Sequence, residues 1–284
     1  MIPGEVSFHC LPKLVPAYVR GVLTAGELIE RLERMRADTT FRGRNLHYVI
    51  GREDFDAAIA GFANASRSTD RSAAAGTLVR SMLDPVAKRE GKPSWCEKSL
   101  LNVAAAATLL SSLPDARVIH MVRDGRDAAC SMVPLPVGRN SVVDALRQWA
   151  LRLRDAERGL RAVPADRALV LHLENLVLLD RERSYRQLLD FVGLEDEPGM
   201  RSFFELEVTA ERAHIGRWRS ELRGAERAEI VALYEQLLQE LCAESVSSLP
   251  LESPEGVAYG VRGNEPANPV DPWAGQAAPG SFDR

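Results

Sequence analysis

Lysine is scarce in this chain of 284 residues. Only Lys13, Lys88, Lys92 and Lys98 occur, and the other 32 basic residues are arginine. Acidic residues outnumber basic ones, 40 to 36, for a net charge of −4. No basic field covers the surface, which argues against a general nucleic-acid binder and leaves room for a local basic pocket. Cysteine is also sparse: Cys10, Cys96, Cys130 and Cys242 lack CxxC spacing. They read as reduced, mostly buried thiols of a reducing compartment, so a cytoplasmic protein is expected. The five histidines lack ligand spacing, so no structural metal is expected. No apolar run nears the roughly 20 residues that span a bilayer. The opening MIPGEVSFHC has no charged region followed by an apolar one, so no signal peptide is expected. A Walker lysine motif is missing, which counts against a nucleotide kinase.

What is present is ordinary for a globular protein: 45% hydrophobic and 27% charged residues, enough for a sizeable core. Leu28, Ile29, Leu32 and Met35 follow Thr24, a plausible cap, at helical spacing. Phe55, Ile59 and Phe62 mark a second helix after Asp54, and Leu78, Val79, Met82, Leu83 and Val86 a third. Ser94-Trp95-Cys96 reads as a short strand ending at Glu97-Lys98, with a helix through Leu100, Leu101, Ala104, Leu109 and Leu110 after it. Arg117–Val122 and Ala168–Leu173 read as buried strands. Helices follow near Asp127, through Leu146, Trp149, Leu153, Ala156 and Leu160, and through Tyr185, Leu188, Leu189 and Val192. Ile230, Leu233, Tyr234, Leu237, Leu238 and Leu241 give the clearest helical pattern. Short apolar strands alternating with helices predict an α/β domain over residues 1–249, with a parallel sheet covered on both faces. Residues 250–284 hold six prolines and five glycines without periodicity and read as an irregular tail.

Ligands of an open parallel sheet bind beyond the carboxyl ends of its strands. Three such ends carry polar groups here: Glu97-Lys98, Arg123-Asp124-Gly125-Arg126-Asp127, and His172-Leu173-Glu174-Asn175. Arg123 stands where a strand becomes a loop, and Gly125 permits a tight turn. The helix that follows aims its N-terminal N–H groups at the same crevice, and Ser131 lies eight residues after Arg123. A guanidinium, a hydroxyl and a helix N-terminus make a phosphate site. An Arg–Asp ion pair capping the helix explains the same residues, and on physics alone both readings stand.

The stretch Ala116-Arg-Val-Ile-His-Met-Val-Arg-Asp-Gly-Arg-Asp-Ala-Ala-Cys-Ser131 resembles the 3′-phosphate segment of sulfotransferases that use 3′-phosphoadenosine 5′-phosphosulfate (PAPS). The wording is nearest to tyrosylprotein sulfotransferases and their bacterial relatives. Trp95-Cys-Glu-Lys98 resembles that family's strand ending in a catalytic lysine. Val170–Leu176 and the helix ending Leu-Leu-Asp-Phe-Val-Gly-Leu194 resemble its YEDL…LLxFLGL stretch, and Gly216-Arg-Trp-Arg-Ser-Glu-Leu222 the segment that closes over the nucleotide. The resemblance covers roughly residues 3–245. It implies a three-layer parallel sheet of P-loop NTPase-like topology and transfer of a sulfonate from PAPS, without a metal, to a hydroxyl of a small molecule, glycan or tyrosine. The roles it implies are Glu5 as base with His9 as a lesser candidate, Lys98 on the leaving group, Arg123 and Ser131 on the 3′-phosphate, and Arg217 and Trp218 over the nucleotide. Without the resemblance, Glu5 is an exposed terminal carboxylate, Lys98 a surface lysine and Trp218 a core residue. His120 and His172 read as core, Arg126 as a cap or partner of Asp127, and Glu174 as a local pair or cap. Leu173 replaces the family's YEDL tyrosine, which removes a hydroxyl contact.

One departure is large. Nothing matches the family's loop G-x-P-[RK]-S-G-T-[ST], whose backbone N–H groups hold the 5′-phosphosulfate. Ala75-Gly76-Thr77 sits among helix formers, and Pro3-Gly4-Glu5 resembles the segment that follows the loop. The expectation is a sheet whose first strand is missing, through a late start codon or a natural truncation, and a chain that folds incompletely and transfers little sulfonate. The rival function is then a non-catalytic nucleotide- or partner-binding relative. The acceptor would be read by residues 20–90 and the Pro134–Asn140 loop, neither of which carries a legible code.

Overall fold

A computed structural model describes residues 10–37, 50–133 and 141–250. The chain divides into two units, Met1–Leu251 and Glu252–Arg284, and every described residue belongs to the first. Glu5, His9, the Pro134–Asn140 loop and all of the expected tail except Pro250 lie outside the described residues.

Helices dominate the first part of the fold. Helix α1 covers Cys10–Val19. Helix α2, Ala25–Ala37, starts where Thr24 and Glu27 cap each other: the Glu27 N–H donates to Thr24 Oγ1 at 3.2 Å, and the Thr24 N–H to Glu27 Oε2 at 2.8 Å. Helices α3, Arg52–Ser68, and α4, Arg71–Arg89, follow each other across the Asp70 cap, whose carboxylate accepts the N–H groups of Ser72 and Ala73. Their apolar faces meet those of α1 and α2 in one core holding Tyr18, Leu28, Leu32, Phe55, Phe62 and Leu78. Gly76 belongs to α4, where an added Cβ would collide with the Ser112 carbonyl, so its absence of side chain serves helix packing.

Beyond Lys92 the chain is irregular and makes no strand. Ser94–Cys96, expected as a strand, lacks a sheet neighbour among the described residues. A strand exists only through bonds to a neighbour. The Trp95 indole N–H instead donates to Asp84 at 2.9 Å, tying this stretch to α4. The helix expected from Leu100 begins later, as a short 3-10 turn over Val103–Ala105 that leads into α5, Ala106–Ser112.

Strands β1, Val118–Val122, and β2, Ala168–His172, fall where the sequence predicts them and pair in parallel, with Val118 opposite Ala168 and Val122 opposite His172. Between them lie α6, Gly125–Met132, and α7, Val142–Leu160. The α/β class and the parallel pairing hold. The three-layer sheet does not emerge among the described residues, where the sheet has two strands. After β2 the chain makes a π turn over Asn175–Leu179, then α8, Arg181–Val192, and α9, Pro198–Glu207. A run of turns leads to the single-turn α10, Trp218–Glu221, and to α11, Gly224–Ala243. Ile230, Tyr234, Leu237, Leu238 and Leu241 of α11 are buried, as their spacing predicts. No helix of the described residues is long and apolar enough to cross a membrane.

Candidate functional site

Because β1 and β2 are parallel and in register, their carboxyl ends open side by side. Arg123 and Asp124 leave one end, Leu173 and Glu174 the other. Glu174 joins them: its Oε1 accepts the Asp124 N–H at 2.8 Å. Burial pushes the Glu174 carboxyl above the usual carboxylate range, against the pull of that hydrogen bond. Its Oε2 is buried with no partner among the described residues.

Helix α6 begins at once, since Asp124 caps it by accepting the Arg126 N–H at 2.8 Å. Gly125 lets the helix start close to α7, because a Cβ there would lie 2.7 Å from the Trp149 ring. Arg126 does not pair with Asp127, as the sequence suggested. Its guanidinium meets Asp124 in a two-pronged bond, Nε to Oδ1 at 3.0 Å and Nη2 to Oδ2 at 2.6 Å. The same guanidinium lies 4.0 Å from the Trp218 ring centre and 4.4 Å from that of Tyr234. The Asp127 carboxylate is taken up instead by the backbone N–H groups of Gly216 and Trp218.

Asp127, 1% exposed, is a hub that the sequence reading missed. Its carboxylate accepts the N–H groups of Gly216 at 2.7 Å and Trp218 at 3.1 Å, and its Oδ2 lies 3.6 Å from Arg123 Nη2. Arg123 in turn donates from Nη2 to the carbonyls of Ala213 at 2.8 Å and His214 at 2.9 Å. Its Nε is buried and has no partner among the described residues. The i,i+4 spacing of Arg123 and Asp127 is the signal that could have shown this pairing.

The structure thus gathers three of the predicted site residues, Arg123, Arg217 and Trp218, around Asp127. Arg217 is paired with Glu221, Nε to Oε1 at 2.9 Å. Trp218 is 2% exposed, with Arg126, Arg219 and Arg227 all within 5.1 Å of its ring. In this conformation guanidinium groups, not an open face, surround the indole. Ser131 stands half-buried one turn past Asp127 on α6. Lys98 is exposed, on the irregular stretch before the turn that leads to Val103. His120 is buried in β1, and His172 bonds through Nε2 to the Leu249 carbonyl at 2.7 Å.

Comparison with known families decides the class. A family model described as the sulfotransferase family matches residues 16–198. The chain belongs to the sulfotransferase family. The match takes in Lys98, Arg123 and Ser131 of this sulfotransferase, whereas Arg217 and Trp218 lie past its end and Glu5 before its start. Membership carries transfer of a sulfo group to a hydroxyl-bearing acceptor as the reaction class. No group of three or more His, Cys, Asp or Glu among the described residues could hold a metal ion.

Proposed function

We propose that this sulfotransferase takes its sulfonate from PAPS and passes it to a hydroxyl on a small molecule, a glycan or a tyrosine. One observation carries the reading: Arg123 leaves the carboxyl end of β1 where the N-terminus of α6 opens. A parallel sheet offers an anion both a guanidinium and backbone N–H groups at that place. The fit to a phosphate has a second support, since the buried Arg123 Nε retains an unused donor. Arg123 and Ser131 would hold the 3′-phosphate, with Arg217 and Trp218 beside the nucleotide.

PAPS supplies an activated sulfonate whose leaving group is a nucleotide phosphate. The Lys98 ammonium would offset the negative charge that develops on the leaving oxygen, and Glu5 would take the proton of the acceptor hydroxyl. The domain over residues 1–249, a P-loop-like three-layer α/β fold in this reading, carries all of these roles. A cytoplasmic location is part of this reading; of the three described cysteines Cys130 is buried, while Cys96 and Cys242 are exposed and so depart from the mostly buried set expected.

Calorimetry with two nucleotides tests the assignment. Arg123→Ala should weaken binding of adenosine 3′,5′-bisphosphate by about 2–4 kcal/mol and leave adenosine 5′-phosphate nearly unaffected. Equal losses for both would remove the 3′-phosphate role. A relative that binds nucleotide without transferring sulfonate shares the Arg123 site and differs at Lys98. Lys98→Ala should lower turnover of labelled PAPS by about 10²–10³ with little change in nucleotide affinity. Unchanged turnover would return Lys98 to the surface.

A further inference from the structure

The segment Thr209–Trp218 meets Arg123 with its backbone, and the conformation of that backbone is unusual. The Ala213 and His214 carbonyls accept from Arg123 Nη2, the donor that an anion at this strand end would seek. A phosphate oxygen cannot take the Nη2 hydrogen that the Ala213 carbonyl holds without oxygen-to-oxygen repulsion. The neighbouring residues are fixed by other bonds. Gly216 and Trp218 hang from Asp127, and Ala213 and Ile215 pack on the apolar cluster of Leu176, Tyr185, Leu189 and Phe204. The segment therefore cannot swing away as a whole without giving up those contacts.

One peptide can move alone. His214 has φ +52°, a left-handed value that a residue with a Cβ adopts at a cost. Rotating the Ala213–His214 peptide plane would return φ of His214 to negative values. It would also turn the Ala213 carbonyl off Arg123 and leave both flanking Cα atoms nearly in place. The His214 side chain is exposed, so the core does not impose its strained backbone. What holds it on this side is the Ala213 carbonyl contact with Arg123, together with the His214 N–H to Glu211 carbonyl bond at 3.1 Å; the His214 carbonyl lies beyond the turning peptide and keeps its own contact with Nη2.

We propose that the Ala213–His214 peptide is a two-position switch on Arg123, with the Ala213 carbonyl in on Nη2 in the free protein and turned out when an anion takes that hydrogen together with the unused Nε. The inference rests on the reading that Arg123 meets a 3′-phosphate and adds the means by which the empty site is kept closed. Apparent affinity is then the intrinsic affinity reduced by the fraction of molecules with the peptide turned out.

Backbone preference at residue 214 gives a test with opposite signs. His214→Ala sets the baseline for loss of the imidazole. His214→Gly accepts positive φ freely, favours the closed position and should bind adenosine 3′,5′-bisphosphate about fivefold or more weakly than the alanine variant. His214→Val disfavours positive φ and should bind it more tightly than the alanine variant. Inorganic phosphate, titrated into the same proteins, should follow the same order. A flat series with bisphosphate bound throughout overturns the switch and leaves the nucleotide reading intact. The predicted order with inorganic phosphate, but no binding of bisphosphate, supports the switch and removes the nucleotide reading. If neither ligand binds any of the proteins, both fall.

Discussion

Two regions of this sulfotransferase are held by opposite chemistry. Helices α1–α4 close on an apolar core in which Leu28, Phe55, Ala58 and Phe62 are wholly buried. The strand-end junction instead buries Asp127 and Arg126 and half-buries Arg123, Asp124 and Glu174. Apolar burial has no direction and scales with area. A buried charge is tolerable only with a partner at bonding distance, and such pairs add little net stability. The helical region therefore supplies stability, and the junction gives some of it up for position. Charge is concentrated at the strand ends, where the sulfonate donor is proposed to bind.

The largest test of that contrast is Phe62→Ala. It should cost about 3–5 kcal/mol in urea denaturation, the range for emptying an aromatic site in a packed core. The variant, where still folded, should bind adenosine 3′,5′-bisphosphate as before. Lost binding in the folded variant would show that the two regions are coupled.

His120 sharpens the contrast from the sheet side. Burial, and then the nearby His172, push its imidazole down to about 4, with Glu157 opposing. The unfolded imidazole takes a proton near 6.5, while the folded one stays neutral until about pH 4. Stability from this residue is thus complete above about pH 6.5 and falls on acidification toward pH 4, by about 3 kcal/mol. His120→Asn should flatten that limb of a stability–pH curve, and an unchanged limb would place the acid sensitivity elsewhere. The smallest effect belongs to the helical region: Thr24→Ala should cost about 1 kcal/mol by thermal melting, through the lost cap of α2.

The two regions also differed in how far the sequence revealed them. The helices of the first were legible because apolar residues at 3-4 spacing have one way to be buried, and Thr24 announces its cap. Strands β1 and β2 were legible as short apolar runs between turns. Ser94–Cys96 misled because extended local preference does not supply a sheet neighbour. Helix α1 escaped because Pro12 and Pro16 obscure its pattern, yet Pro16 lies within it. At the junction, Arg123 could be read from its place after a strand. Its contacts with the Ala213 and His214 carbonyls could not, since main-chain oxygens carry no residue code and lie some 90 positions away.

Trp218 gives the junction an optical property. Its indole centre sits 4.0 Å from the Arg126 guanidinium, and its backbone N–H donates to Asp127, which fixes the ring's position. Indole emission shifts with the charges and dipoles around the ring. The fluorescence of Trp218 is therefore an intrinsic gauge of the junction's electrostatic state. Of the other tryptophans among the described residues, Trp95 bonds to Asp84 on the helical side and Trp149 packs beside Tyr234. With Trp95 and Trp149 replaced by phenylalanine, the described residues would carry a single tryptophan beside the arginine proposed to meet the anion, and binding there could be followed in real time without a label.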